Sequence, residues 1–401
     1  ANGARVAFTR ARGARPHTRV HGGGFLSWAK GPMLYDCALE VPLLGLEAVR
    51  GVSPDFPSMR GHKLFAARSE SETRTDYVVR DLHLRQGDQR VDGDVTAITD
   101  HRRGLGVQNM NLTLNALDLD AVRPYLDTLP LDGTLTGPIK GNGFFDHLNV
   151  DFDWTLRDAR LPDSGSSHFA AAGGVVLGGK KGFIFDTLTI DHSDIDLRTV
   201  RLIVPAAILE GRLSLEGTLA GPWKAVTFNG AIEHRDGDRP VSRAEGSVFL
   251  DTRRDTLGLA TELELTPFEF EGVRRTFPTI TALGSLRGRF HSSGTLGHLA
   301  IDAALHGEIG SIAAQGVMTI EPPKWGADSL HLTLGAVELA ELRCTGPHTR
   351  LSGEMLPNGV IDSARAPDVT LETALAARMV RERKMNTPHV AGGMHIHPST
   401  L

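Results

Sequence analysis

The chain is poor in cysteine, in aromatic residues and in long apolar runs, and each shortage excludes something. Its 401 residues include two cysteines, Cys37 and Cys344, too few and too far apart for a disulfide scaffold. Free thiols are the leading reading, with one long-range disulfide as the alternative. Aromatic residues make up 6 %, which fits smooth aliphatic walls better than a pocket for one rigid ligand. The longest apolar runs, such as Val41–Leu44 and Leu202–Leu209, fall far short of the roughly 20 residues that cross a bilayer as a helix. No stretch reads as a signal peptide, and the first residue is Ala, as in a processed form or a piece of a longer protein. The formal charge is −5 at pH 7 with no basic stripe, so nucleic acid is not an expected partner.

What is present is alternation punctuated by turns. Forty-five glycines and 21 prolines are scattered rather than clustered, as many short strands require. From Asp76 onward apolar residues recur with period two, the mark of strands with one buried and one wet face. Turns are expected at Gly87-Asp88, Asp92-Gly93 and His192-Ser193-Asp194. The stretch Gln108–Leu135 carries the organising unit. Leu112 and Leu114 share one parity, Leu117 and Leu119 the other, and the switch at Asn115-Ala116 reads as a β-bulge. A short helix-like link, AVRPYLDTLP, then leads to the Asp132-Gly133 turn. Residues 31–75 read as irregular, Asp163–Gly174 as a loop, Val369–Lys384 as a helix, and the tail beyond it as frayed.

Two internal repetitions define the architecture. NLTLNALDLDAV (111–122) is echoed by HLTLGAVELAEL (331–342). A Gly-Thr-Leu strand start recurs at Gly133, Gly217 and Gly294, and twice it runs into Gly-Pro, in GTLTGP and GTLAGP, where turns are expected. The spacing is unequal, so the pattern is a meander of hairpins rather than a solenoid of fixed period. At about 5–6 residues per strand the chain holds roughly 20 or more strands. Stacked at about 4.8 Å, they make a ribbon on the order of 100 Å long. The expected fold is all-β: an elongated, twisted antiparallel β-sheet groove of repeated hairpins with few short helices. Residues 1–75 form a poorly defined N-terminal segment, 76–345 the repetitive β-groove, and 346–401 a C-terminal strand or helix with a flexible tail.

The order of DLHLRQGDQRVDGDVTAITDHRRGLGVQNMNLTLNALDLDAVRPYL, LDGTLTGPIKG and EGRLSLEGTLAGPWKAVTFNGAIEHRDG resembles the TamB/AsmA-like proteins of the Gram-negative envelope. The resemblance covers roughly residues 76–345 and rests on glycines and alternating aliphatics. It implies a long open β-taco with an apolar inner groove, located in the periplasm and associated with the inner membrane in the full-length protein. The family's N-terminal membrane helix and strand-rich C-terminal domain are not among these residues, so the resemblance is to a middle segment. It implies phospholipid transfer from inner to outer membrane, with phospholipid as partner. The alternative is a scaffold that helps an outer-membrane barrel protein assemble by strand pairing.

The candidate groove wall is the set of alternating aliphatics: Leu112, Leu114, Leu117, Leu119, Leu188, Ile190, Ile195, Leu197, Leu213, Leu215, Leu257, Leu259, Leu263 and Leu265. No catalytic, metal or cofactor site is expected. GVVLGGK (174–180) has phosphate-loop spacing, but Lys181 follows where Ser or Thr is needed, so it reads as a Gly-rich hairpin. Asp191, His192, Ser193 and Asp194 are consecutive rather than brought together by a fold, and read as a hydrophilic turn. His395 and His397 share a strand face without a third ligand. Asp118 and Asp120 read as the wet face of a strand.

Overall fold

The computed structural model describes residues 4–15, 18–28, 34–45, 60–69, 74–121, 131–161, 166–177, 183–205, 207–254, 256–277, 282–321, 324–338, 349–362, 368–379 and 389–395. Twenty-two strands lie within them. The first eleven are β1 (Ala4–Arg15), β2 (Thr18–Trp28), β3 (Leu34–Gly45), β4 (Arg60–Ser69), β5 (Arg74–Gln86), β6 (Gln89–Asp100), β7 (Gly104–Asp118), β8 (Gly133–Phe144), β9 (His147–Asp158), β10 (Ser167–Val176) and β11 (Ile184–Asp196). The rest are β12 (Arg212–Pro222), β13 (Ala225–Arg235), β14 (Ser242–Asp251), β15 (Gly258–Glu269), β16 (Ser285–Thr295), β17 (His298–Gly307), β18 (Gly310–Glu321), β19 (Lys324–Glu338), β20 (Thr349–Asp362), β21 (Asp368–Met379) and β22 (His389–His395). A seven-residue helix, α1 (Leu197–Ile203), and two 3-10 turns, Leu119–Ala121 and Glu271–Val273, are the helical segments among the described residues.

The fold is all-β and antiparallel, and the sheet is open rather than closed into a barrel. Where registers are defined, from β1 to β10 and from β13 to β22, each strand pairs with its sequence neighbours. Extensive contact is likewise confined to consecutive strands. The chain divides into two compact units. The N-terminal unit holds Ala1–Ser193 with Ala220–Trp223, and the C-terminal unit holds Asp194–Leu219 with Lys224–Leu401.

Bulges keep the aliphatic side chains on one face. The register slips by one residue between Leu114 and Leu117, and Ala116 there has φ 50°. Without that extra residue, Leu117 would point to the opposite face from Leu114; with it, both are buried, at 7 % and 8 % exposure. At four bulges the freed N–H is met by a short polar side chain from the next strand. Asp81 N–H donates to Asp94 Oδ1 at 2.8 Å, Asn109 N–H to Asn142 Oδ1 at 3.2 Å, and Ala116 N–H to the Thr136 hydroxyl at 3.0 Å. Ala336 N–H donates to the Ser352 hydroxyl at 2.8 Å.

Strand ends carry a second device. Asp158, Asp196 and Asp251 each close a strand and accept the backbone N–H of an arginine two residues on, together with its guanidinium. Asp100 accepts the N–H groups of Arg102 and Arg103 in the same way. These backbone donors hold the Asp100 carboxyl below its usual range. At Asp196 burial pushes the pKa up, and the bonds from Arg198 outweigh it, leaving it lowered.

Several sequence expectations are corrected. Residues 31–75 carry β3 and β4, and much of Asp163–Gly174 is β10. Asp92-Gly93 lies inside β6 and Gly137-Pro138 inside β8, because these glycines sit opposite leucines instead of turning the chain. His192-Ser193-Asp194 continues β11 without a turn; Asp191 and His192 are both exposed, and the buried parity moves from Leu188 and Ile190 to Ser193. Residues 369–379 of the expected helix lie in strand β21, hydrogen-bonded to β20 and β22, so sheet pairing overrides its helical spacing. The tail contributes β22 through His395. Leu119 opens a 3-10 turn and Leu197 opens α1, instead of continuing strands. Residues 122–130, 178–182 and 396–401 lie outside the described residues. They hold most of the expected link, the end of the Gly-rich hairpin and His397. Cys344 also lies outside them.

Candidate apolar binding face

In the N-terminal unit the registers align apolar residues in rows across the strands. One row runs Leu82, Gly93, Leu112, Ile139, Phe152, Ala171 from β5 to β10. A second runs Leu84, Val91, Leu114, Gly137 from β5 to β8. Val79, Leu82, Leu84, Val91, Leu114 and Leu117 form its buried cluster, with Ile139 and Trp154 packed against it. Phe152 stacks on Trp154 at 4.2 Å and lies 5.9 Å from Phe169. At Gly137, φ is 139° and a Cβ would strike the Asp153 carbonyl, so glycine is required where the β9 backbone passes.

In the C-terminal unit a row runs Gly230, Gly246, Leu263, Phe290, Ala303, Ala314, Leu332 from β13 to β19. Leu259 and Leu265 flank Leu263 on the same parity. Leu299, Ile301, Ala303, Ala314 and Leu330 form the buried cluster. Its polar interruption is the Thr261–Ser292 hydroxyl pair, bonded at 2.8 Å. Residues buried below 10 % on a sheet whose extensive contacts join sequence neighbours fit a sheet that curves over that face, as bulges and strand-interior glycines allow.

The structure thus brings Leu112, Leu114 and Leu117 together in one unit, with Leu119 buried in the 3-10 turn that follows β7, and sets Leu259, Leu263 and Leu265 on one parity of β15 in the other. Leu188 and Ile190 are the most buried pair of β11, at 1 % each. Leu213 and Leu215 share the parity of Gly217, which abuts Gly230. Ile195 is half-buried at the end of β11, Leu197 packs from α1, and Leu257 is half-buried just before β15. The sequence-derived wall omitted Ile139, Phe152, Phe290, Leu299 and Ile301, although they follow the same alternation.

The opposite face carries charged and histidine side chains, with Ile98 and Phe144 buried among them. His83 lies 2.5 Å from Asp92 and 3.0 Å from Asp81, His168 lies 2.6 Å from Asp153, and His331 lies 3.5 Å from Glu354. Asp92 and then Asp81 raise the His83 pKa above its ordinary value. Two cavities lie away from the apolar rows. One, of about 400 Å³, is floored by Ile98 and Phe144, with Arg103 3.9 Å above the Phe144 ring. The other, of about 360 Å³, lies at strand ends beside Ile309, Glu308 and Glu338. Among the described residues no cluster of three or more His, Cys, Asp or Glu is placed to hold a metal, and no helix is long and apolar enough to cross a membrane.

No family model, no curated protein and no solved structure matches this chain.

Proposed function

We propose that the chain binds phospholipid acyl chains along its apolar sheet face and carries them through the periplasm between inner and outer membrane. The observation that carries this reading is the row Gly230–Leu332. It crosses seven strands without a charged side chain. A surface of that kind offers a ligand contact and no hydrogen bonds, which suits hydrocarbon. Each methylene buried on it contributes about 0.8 kcal/mol.

The test is native mass spectrometry with lipid extraction of the purified chain. Phospholipids should travel with the wild type and be lost from Leu215→Asp and Leu263→Asp. If both variants fold and keep their lipid, the apolar face is not the binding site.

A second reading is a scaffold for outer-membrane protein assembly. It is favoured by β1 and β22, whose described registers each join a partner on one side only, leaving backbone groups for an added strand. Site-specific crosslinking along these edges should trap a barrel protein; clean failure in cells that make such proteins counts against it.

A further inference from the structure

Charge is spread unevenly over the N-terminal unit. Residues 1–69 hold ten Lys and Arg against four Asp and Glu, whereas residues 70–193 hold twelve against nineteen. In sequence these cations form no stripe; strand pairing gathers them at one end of the sheet. The register runs Arg12, His21, Glu40, Leu64, Arg80 from β1 to β5. Between that row and the nearer strand ends, β1 to β4 carry Arg12, Arg15, Arg19, Arg60 and Lys63 against Glu40 alone. Glu40 is already engaged by His21, 2.7 Å away. Over the same stretch β5, β6 and their turn add three arginines and four carboxylates. Of those carboxylates, Asp81 and Asp92 lie against His83, and Asp94 accepts the Asp81 N–H. The positive charge is thus concentrated on the first four strands. Neither β1 nor β2, its neighbour in the described registers, carries a carboxylate.

Two features make this end more than a solvated rim. Arg60, Arg85 and Arg90 stand directly opposite one another on β4, β5 and β6. Like charges so placed destabilise a sheet, and an anionic partner relieves them; Arg85 and Arg90 are exposed to one. The next row inward is apolar, running Leu44, Gly61, Leu84, Val91, Leu114, Gly137 from β3 to β8. The arginine row therefore lies one residue from the end of the apolar face. No Phe, Tyr or Trp stands between the Arg12–Arg80 row and these strand ends, so unpaired bases would find no ring to stack on.

We propose that the β1–β4 strand ends, with the Arg60–Arg85–Arg90 row, dock on the anionic headgroup surface of a phospholipid bilayer. A plane of negative charge complements a line of cations along one end of a sheet. The acid-rich strands do not cancel it: at about 4.8 Å per strand, β1 lies roughly 20 Å from β5, more than two Debye lengths of about 8 Å. Docked in this way, the sheet presents the Leu84–Val91–Leu114 end of its apolar face to the headgroups. The docking does not depend on acyl binding; it goes beyond that reading by naming the end that meets a membrane.

The experiment is flotation of the full chain with vesicles of phosphatidylcholine alone and of equimolar phosphatidylcholine and phosphatidylglycerol. The wild type should float with the anionic vesicles, and less so as salt is raised. Arg15→Gln, Arg19→Gln and Arg60→Gln combined should weaken that binding about a hundredfold, about fivefold for each charge. Lysine at the same three positions should restore it, because a bilayer reads charge rather than guanidinium geometry. Arg254→Gln, Arg287→Gln and Arg289→Gln combined, an equal change of net charge on exposed residues of the other unit, should leave it unchanged. Equal binding of both vesicles by the wild type overturns the docking, as does equal loss in the two glutamine triples. Failure of the lysine variant to bind overturns it in favour of a shaped anion site, and tighter binding to poly(U) than to anionic vesicles overturns it in favour of nucleic acid. Anionic-vesicle binding by a chain that carries no lipid on purification would sink the acyl-binding reading and leave the docking standing.

Discussion

Strands β7 and β19 lie in different units and are built alike. Both are 15 residues long, and both are bulged twice, at Asn109 and Ala116 in one and at Ser329 and Ala336 in the other, with φ between 50° and 52°. In both, the second bulge bonds a hydroxyl of the following strand, Thr136 or Ser352, and the next residue there is a glycine of positive φ, Gly137 or Gly353. The surroundings differ. Around β7 the face carries the stacked rings of Phe152 and Trp154; around β19 it mixes Leu299, Ile301, Leu330 and Phe290 with the small residues Ala303 and Ala314. One backbone template thus supports a face with a stacked aromatic pair and a face of mixed aliphatic and small residues. The lesson is that bulges set which residues face inward, while residue size on the adjoining strands sets how much room remains for an occupant.

The comparison can be broken most forcefully at Phe152. Phe152→Ala should cost about 3–5 kcal/mol, and hydrogen exchange should show the loss in β8–β10 with the β16–β19 amides unchanged. Loss of protection in both units would mean they fold as one. Leu117→Ala and Val337→Ala remove equivalent side chains beyond the second bulge, exposed 8 % and 0 %. Each should cost about 2–3 kcal/mol in its own unit, measured by urea unfolding; a large inequality would show that the bulges are not equivalent. Thr136→Val and Ser352→Ala each remove the acceptor for a bulge N–H. About 0.5 kcal/mol is expected for each, with faster exchange at the Ala116 or Ala336 amide.

The smallest effect is electrostatic. The His83 pKa is raised in the folded chain by Asp92 and Asp81. Its contribution is therefore complete below the unfolded value near 6.5, and fades as pH rises through the higher folded value. His83→Gln should remove a small decline in N-terminal unit stability as pH rises above about 6.5. An NMR titration placing the His83 pKa at or below 6.5 would refute the pairing.

How much of this was legible in the sequence depended on the range of the cause. The bulge at Asn115-Ala116 was readable because parity switches within one strand; its echo at Ala336 was not read, although the repeat 331–342 carries the same pattern. The first bulges, at Asn109 and Ser329, were not read: no leucine alternation spans them. Their capping partners sit on the next strand, and pairing register is invisible in one dimension. Gly93 and Gly137 were mistaken for turns because a glycine beneath a neighbouring backbone looks, in sequence, like a glycine that bends its own. The helical spacing of Leu371, Leu375 and Met379 was real, yet β20 and β22 supply partners that favour a strand. The Asp-x-Arg strand ends at 158, 196 and 251 are a local signal that could have been found.

Pairing between chain neighbours has a consequence for how such a molecule comes into being. Each new strand needs only the one made just before it, so loop closures are short and contact order is low for a β protein. A chain of this kind can be laid down in the order in which it emerges, hairpin upon hairpin, without waiting for its far end. The final strand of each growing edge is then the template for the next, and the bulges and strand-end Asp-x-Arg turns act as local marks that keep the count of residues true as the sheet is extended.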